Sequence, residues 1–177
     1  GRVALLYQPS EDFRITLTAV SQNMDSGAVP TVDVNIVGNS ITPAWGDLQQ
    51  RRVGSEFSDV TYTVYNSTVN WDLAWAELVS STSWAEHDES TRQDGTGVFG
   101  VFIDSQLPIN KFTQEIRLVS SDADSAFEWL IGGYFTHERA SLHQDLVGTG
   151  LFLELTSKFI EKAAFANVTY HFSEAFD

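Results

Sequence analysis

The chain has 177 residues, 24 acidic and 10 basic, for a formal net charge of -14. That is the size of one ordinary domain, without the Lys/Arg surface that nucleic acid demands or a polybasic segment to hold it on anionic lipid. The absence of cysteine excludes a disulfide framework and a thiolate metal site. No apolar run approaches the ~18 residues of a membrane-spanning helix. Gly1-Arg2 leads straight into a strand-like segment, with neither Met nor a signal-peptide pattern. A processed chain, or a piece of a longer one, is expected to begin this way.

Arg2 to Gln8 alternates weakly, with Val3, Leu5 and Tyr7 on one side. Pro9-Ser10-Glu11-Asp12 predicts a turn, because Pro presets φ and Ser and Asp bond nearby backbone. Phe13 to Gln22 reads as a second strand, with Phe13, Ile15, Leu17 and Ala19 opposite Arg14, Thr16 and Thr18. Residues 23–55 then hold Gly27, Pro30, Gly38, Pro43, Gly46 and Gly54 without sustained periodicity, and predict a long loop. Such a stretch is rare inside a compact soluble domain. From Glu56 the β-branched and aromatic alternation returns and runs to about Val69. Asn70 to Leu73 predicts a tight reversal, Ala74 to Glu86 the next strand, and residues 87–110 a second long loop containing Gly95, Gly97, Gly100 and Pro108.

The strongest strand signal lies between Lys111 and Arg139. Phe112, Gln114, Ile116 and Leu118 share one face, opposite Thr113, Glu115, Arg117 and Val119. After the polar SSDADS turn, Phe127, Trp129, Ile131, Gly133 and Phe135 share a face opposite Glu128, Leu130, Gly132, Tyr134 and Thr136. The strand is expected to continue to about His143, with a third long loop near 144–156 and a last strand over Ala163 to Phe172.

Connections thus alternate short and long, which in an up-and-down meander puts all short turns at one end and all long loops at the other. Large transmembrane barrels are built this way, and strands of roughly ten residues suit a tilted crossing of the hydrocarbon layer. Aromatics near strand ends (Phe13, Trp71, Trp84, Phe127, Phe172) fit interfacial girdles. The expected fold is all-β, an antiparallel meander of about seven strands forming part of a large transmembrane β-barrel.

KFTQEIRLVSS followed by FEWLIGGYFTHER resembles the barrel region of TonB-dependent outer-membrane receptors, and WDLAWAELVSSTSW, FANVTYHFSEAFD and LLYQPSEDFRITL agree with it in type and order. Receptors of this family carry a plug domain inside a roughly 22-stranded barrel. The resemblance covers a plugless piece of barrel, so residues 1–177 are expected to be a partial barrel domain with two open edges. It implies a Gram-negative outer membrane, contact with outer-membrane lipid, and energised uptake of a siderophore, vitamin or oligosaccharide. TonB would act through a plug region that this chain lacks. A soluble, secreted β-domain binding carbohydrate or protein is the alternative; it requires a charged outer face in place of a continuous apolar one.

No catalytic site is expected: there is no nucleophile elbow and no glycine-rich phosphate loop. No cofactor is expected either. Of the four histidines, His137 and His143 share parity but lie too far apart to grip one ion, and girdle or surface roles fit His87, His137, His143 and His171. Asp122-x-Asp124 lacks the Gly and Glu that a calcium loop needs. Glu115 and Arg117 suit a cross-strand ion-pair ladder. The three loops carry Trp45, Asp47, Arg51, Arg52, Arg92, Phe99 and Phe102. These types could hold a sugar or an anionic chelate, although packing within the loops is their commoner use.

Overall fold

The computed structural model describes residues 1–44, 46, 49–97, 100–121 and 125–172. Its strands are β1 (Arg2–Tyr7), β2 (Phe13–Ser26), β3 (Val34–Val37), β4 (Ser40–Pro43), β5 (Phe57–Asp72), β6 (Ala76–Asp94), β7 (Phe102–Ser120), β8 (Phe127–Leu146) and β9 (Leu151–Tyr170). Seven of them form one antiparallel sheet in the order β1-β2-β5-β6-β7-β8-β9, and β3-β4 is a separate hairpin inside the connection between β2 and β5. The expected meander of about seven strands is present. Its end strands β1 and β9 do not pair with each other, so the sheet is open.

The strands are longer than the sequence pattern indicates. Residues 87–110, expected as a loop, are mostly strand: β6 runs to Asp94 and β7 begins at Phe102, leaving 95–101 between them. His87 to Asp94 is polar on both faces, so it lacks the apolar alternation that marks a half-buried strand, and pairing with β5 and β7 holds it extended instead. Pro108 reads as a breaker but sits inside β7, where the ladder with β8 is interrupted at 107 and 108, as expected for a residue without an N–H. The 144–156 loop is likewise a short turn. Leu146 and Leu151 pair directly, and Gly148 (φ 82) and Gly150 (φ 74) supply the left-handed conformations that so tight a return needs. The expected reversal at 70–73 falls at 73–75, with Ala74 at φ 70 and its N–H donating to Asp72 Oδ1 at 2.7 Å. Only 27–56 remains a long excursion, so the asymmetry between the two ends rests on that segment. Asp122 and Asp124, in the SSDADS turn, fall outside the described residues.

No element of the described residues forms a second layer over the sheet. Among the described residues Ala76 is the sole fully buried hydrophobic, while many large apolar side chains are more than 40% exposed, Val3, Trp71, Ile116, Phe127 and Ile131 among them. Directly paired residues share a face, so the register sorts the side chains. One face carries Phe13, Ile15, Leu17, Trp71, Leu78, Leu118, Ile131 and Val168. At the same height the other face carries Thr16, Thr68, Ser81, Glu115, Thr113, Thr136 and Glu161. We call these the aromatic face and the polar face.

On the polar face Gly132 lies opposite Phe165. A methyl group at Gly132 would overlap the Phe165 ring and sit 2.9 Å from the backbone oxygen of Ile116, whereas at Gly133 the nearest atom would be 3.7 Å away. Gly132→Ala is therefore expected to cost about 1–3 kcal/mol by overpacking, and Gly133→Ala to be close to neutral. Unfolding midpoints in denaturant check this; equal midpoints for the two variants would contradict it.

Candidate functional site

Two features are candidates for function: the aromatic face and the rim where the 27–56 excursion meets the tips of β6 and β7. The aromatic face has an internal order. Near the short-turn end stand Phe13, Trp71, Trp75, Phe127, Trp129 and Tyr170, with Phe13 edge-on to Trp71 at 6.0 Å and Trp75 tilted on Trp129 at 6.2 Å. A second aromatic row, Tyr65-Trp84-Phe112, crosses β5, β6 and β7. Apolar residues fill most of the band between the rows. At ~3.3 Å per residue the band covers roughly 20 Å along β5 and about 33 Å along β8. Its polar members Thr82, Gln114 and Ser80 satisfy one another: the Thr82 hydroxyl donates to Gln114 Oε1 at 2.5 Å, and Gln114 Nε2 donates to Ser80 Oγ at 3.0 Å. Beyond the second row the same face turns polar, with Glu86, Asp88, Ser90 and Arg92 on β6.

At the rim, a buried ionic clasp ties the excursion down. Arg52 Nε lies 2.7 Å from Glu56 Oε1, and Arg52 Nη1 donates to Asp33 Oδ1 at 2.8 Å. Arg52 Nη2 donates to Thr31 Oγ1 at 2.7 Å and also to the Gln50 side chain. Glu56 in turn accepts from the Asp94 N–H at 2.9 Å and from Val29 at 3.3 Å. Asp94 accepts the amides of Val53 and Gly54, and the amide and hydroxyl of Thr96. Asp94 is ten residues beyond the aromatic row at Trp84, clear of the apolar band. The Thr96 hydroxyl holds its carboxyl far below the usual carboxylate range, against the opposing effect of burial, and the Thr96, Val53 and Gly54 amides add to it.

The residues singled out from sequence fall into place around this clasp. Arg52 is its centre, with its guanidinium committed to four side chains and the Arg51 carbonyl. Arg92 lies on β6, not in a loop; its Nε and Nη2 donate to the two Asp104 oxygens at 2.7 and 2.6 Å, above the Phe57 ring. Phe102 is the first residue of β7, and its ring packs against Gly54. Arg51 donates its backbone N–H to Asp33 at 2.7 Å and borders a rim cleft of about 710 Å³, walled also by Val32, Ile36, Gln93 and Ile103. Trp45, Asp47 and Phe99 lie outside the described residues. The anchoring carboxylates Asp33, Glu56 and Asp94 are not marked in the sequence, where nothing in their spacing links two of them to Arg52 or the third to the amides of Val53 and Gly54. The histidines are separate: His87 lies 3.5 Å from Glu89, His171 lies 3.1 Å from Glu128, and His143 stacks on Phe152. Among the described residues no cluster of His, Asp and Glu could hold a metal ion.

Comparison with protein-family models, curated proteins and solved structures returns no match. The reading of function therefore rests on the residues and their geometry.

Removing the Asp94 carboxylate leaves several donors at the rim without an acceptor. For Asp94→Ala the opening free energy of the 50–57 segment is expected to fall by about 1–3 kcal/mol. Hydrogen exchange at the Val53 and Gly54 amides should accelerate accordingly, and unchanged protection would contradict the clasp. A carboxyl whose folded pKa is depressed contributes stability that is complete above its unfolded value of ~3.9. That stability is lost only as pH falls through the lower folded value. Protection should accordingly be flat from neutral pH down to about 4 and decline progressively below it.

Proposed function

We propose that this chain is a wall segment of a large outer-membrane β-barrel of the TonB-dependent receptor type, working in energised uptake of a scarce solute. One observation carries the reading. A sheet one layer thick presents a largely apolar band, bounded by two aromatic rows, on a single face, with mostly polar side chains on the other face at the same height. Lipid outside and water inside call for this division. A strand tilted by roughly 40° projects the band to about 15–25 Å, comparable to the ~25 Å apolar belt of such barrels. A soluble β-domain would need the aromatic face covered by protein, and among the described residues no element packs against it.

The open edges support membership in a larger barrel. β9 exposes all but one of its 20 residues, and a bare row of N–H and C=O groups is not tolerated in hydrocarbon. Neighbouring strands would pair with β1 and β9. In this reading the short turns face the periplasm and the rim faces outward. The cleft beside Arg51 then lies at the mouth, where a siderophore, vitamin or oligosaccharide would first touch the protein. The function is transport without catalysis, and TonB would act through a plug region beyond these residues. The resemblance of KFTQEIRLVSS and FEWLIGGYFTHER to the family supports the transport class; the aromatic face supports the membrane location.

All four described tryptophans, Trp71, Trp75, Trp84 and Trp129, belong to the aromatic face or stack on it. Reconstituted full-length protein should therefore lose most of its tryptophan emission in bilayers whose acyl chains carry bromine. A protein that stays soluble and monomeric without detergent, with emission unaffected by brominated lipid, would overturn the membrane reading.

A further inference from the structure

Four of the ten cations of this acidic chain are paired with carboxylates within the fold. Arg52, Arg92, Lys111 and Arg117 each have a carboxylate oxygen within 4.0 Å. Arg139, Lys158 and Lys162 enter no ion pair among the described residues, and they lie together. Arg139 and Lys158 are directly paired across β8 and β9, and Lys162 stands opposite Phe135 on the same aromatic face. Like charges facing each other across a ladder repel, so the arrangement is unfavourable unless an anion joins them. The nearest carboxylates on this face by register are Glu86, beyond Asn110, and Glu154, beyond Thr156. Glu86 accepts from Trp84 Nε1 at 2.9 Å, and neither acid pairs with the cluster.

A depression of about 350 Å³ opens at this point, lined by Pro108, Asn110, Arg139, Ser141, Thr156 and Lys158. It lies where Pro108 interrupts the β7–β8 ladder, so a backbone irregularity and an unpaired charge cluster coincide. The Asn110 amide and the Ser141 and Thr156 hydroxyls add neutral hydrogen-bond donors beside two cations. Immediately below it runs the row Phe112-His137-Ile160, the upper limit of the apolar band.

Resting on the barrel reading above, we propose that this depression binds the phosphate of a phosphorylated lipid, with the acyl chains lying down the aromatic face against Ile160, Phe135 and Phe112. Arg offers a planar fork to phosphate oxygens. Lys158 and Lys162 can lay their methylene stems on the apolar band and carry their ammonium groups up to the headgroup. The net charge of -14 gives no general attraction to an anionic surface, so recognition is local to this patch and specific for an anion attached to acyl chains.

The test uses the full-length protein in an uncharged detergent, titrated separately with dioleoyl phosphatidic acid, dioleoyl phosphatidylcholine and inorganic phosphate, with retained adducts read by native mass spectrometry. Phosphatidic acid should be held at least ten-fold more tightly than phosphatidylcholine. The double variant Arg139→Gln/Lys158→Gln should abolish that preference, and Lys111→Gln, on the polar face, should leave it intact. Equal retention of both lipids, or an unchanged double variant, overturns the proposal. Inorganic phosphate displacing the lipid at equal concentration also overturns it, because the site would then be for a free anion. Brominated-lipid quenching of the same preparations separates the two levels. Quenching without lipid preference overturns this site alone, and absence of quenching overturns the barrel reading with it.

Discussion

The structure depends on the fact that its main sheet is one layer thick. A sheet normally buries an apolar face against helices or a second sheet, and here both faces of a seven-stranded sheet are open. The burial of Val3, Leu17, Trp71, Ile116, Ile131 and Val168 must therefore come from outside the sheet. The hydrophobic effect is indifferent to whether that cover is protein or acyl chain. The proposal of acyl chain rests on the pattern, because an apolar band that ends at an aromatic row and turns polar along the same strands would match a slab of fixed thickness. The polar face carries hydroxyls, an amide and ion pairs such as Lys111–Glu138 at 3.2 Å, as a wetted surface would.

The strands continue well past this band, and the extra length positions the rim. Above Trp84 the sheet no longer alternates in polarity, yet β6 and β7 remain paired as far as Asp94 and Phe102. That extension carries Asp94 to where it can receive the backbone of residues 53 and 54, and so fixes the 27–56 excursion. Two of the arginines that looked available for ligand are held by carboxylates. The rim is thus a preformed surface, stabilised by groups that do not themselves need to touch a solute.

Much of the fold was legible in the sequence, and for a physical reason: wherever one face meets an apolar medium and the other meets water, the side chains alternate. The parities of 112–118 and 127–135 are those of the structure. Alternation disappears where both faces are polar, so β6 beyond Glu86 reads as loop, and 151–156, apolar on both faces at its start, reads as part of a loop although it opens β9. Their extended conformation comes from long-range ladders that local pattern does not contain. Pro108 and the Gly148–Gly150 turn misled for opposite reasons. Proline predicts a break and is absorbed by a gap in one ladder, whereas the glycines predict a long loop and make a tight turn. The candidate site was legible only as residue types. Arg52 and Arg92 were visible, but their carboxylate partners are distant in sequence or unmarked by any spacing.

The proposed division of the sheet into a lipid face and a water face can be tested one residue at a time. Because the chain has no native cysteine, single cysteines placed along 127–136 of the full-length protein can each carry a nitroxide, with collision rates measured against oxygen and against a water-soluble nickel complex. The expected result is a period of two: oxygen dominates at Phe127, Trp129, Ile131, Gly133 and Phe135, and nickel dominates at Glu128, Leu130, Gly132, Tyr134 and Thr136. Nickel access at both parities would show that water wets both faces, and would contradict the membrane wall.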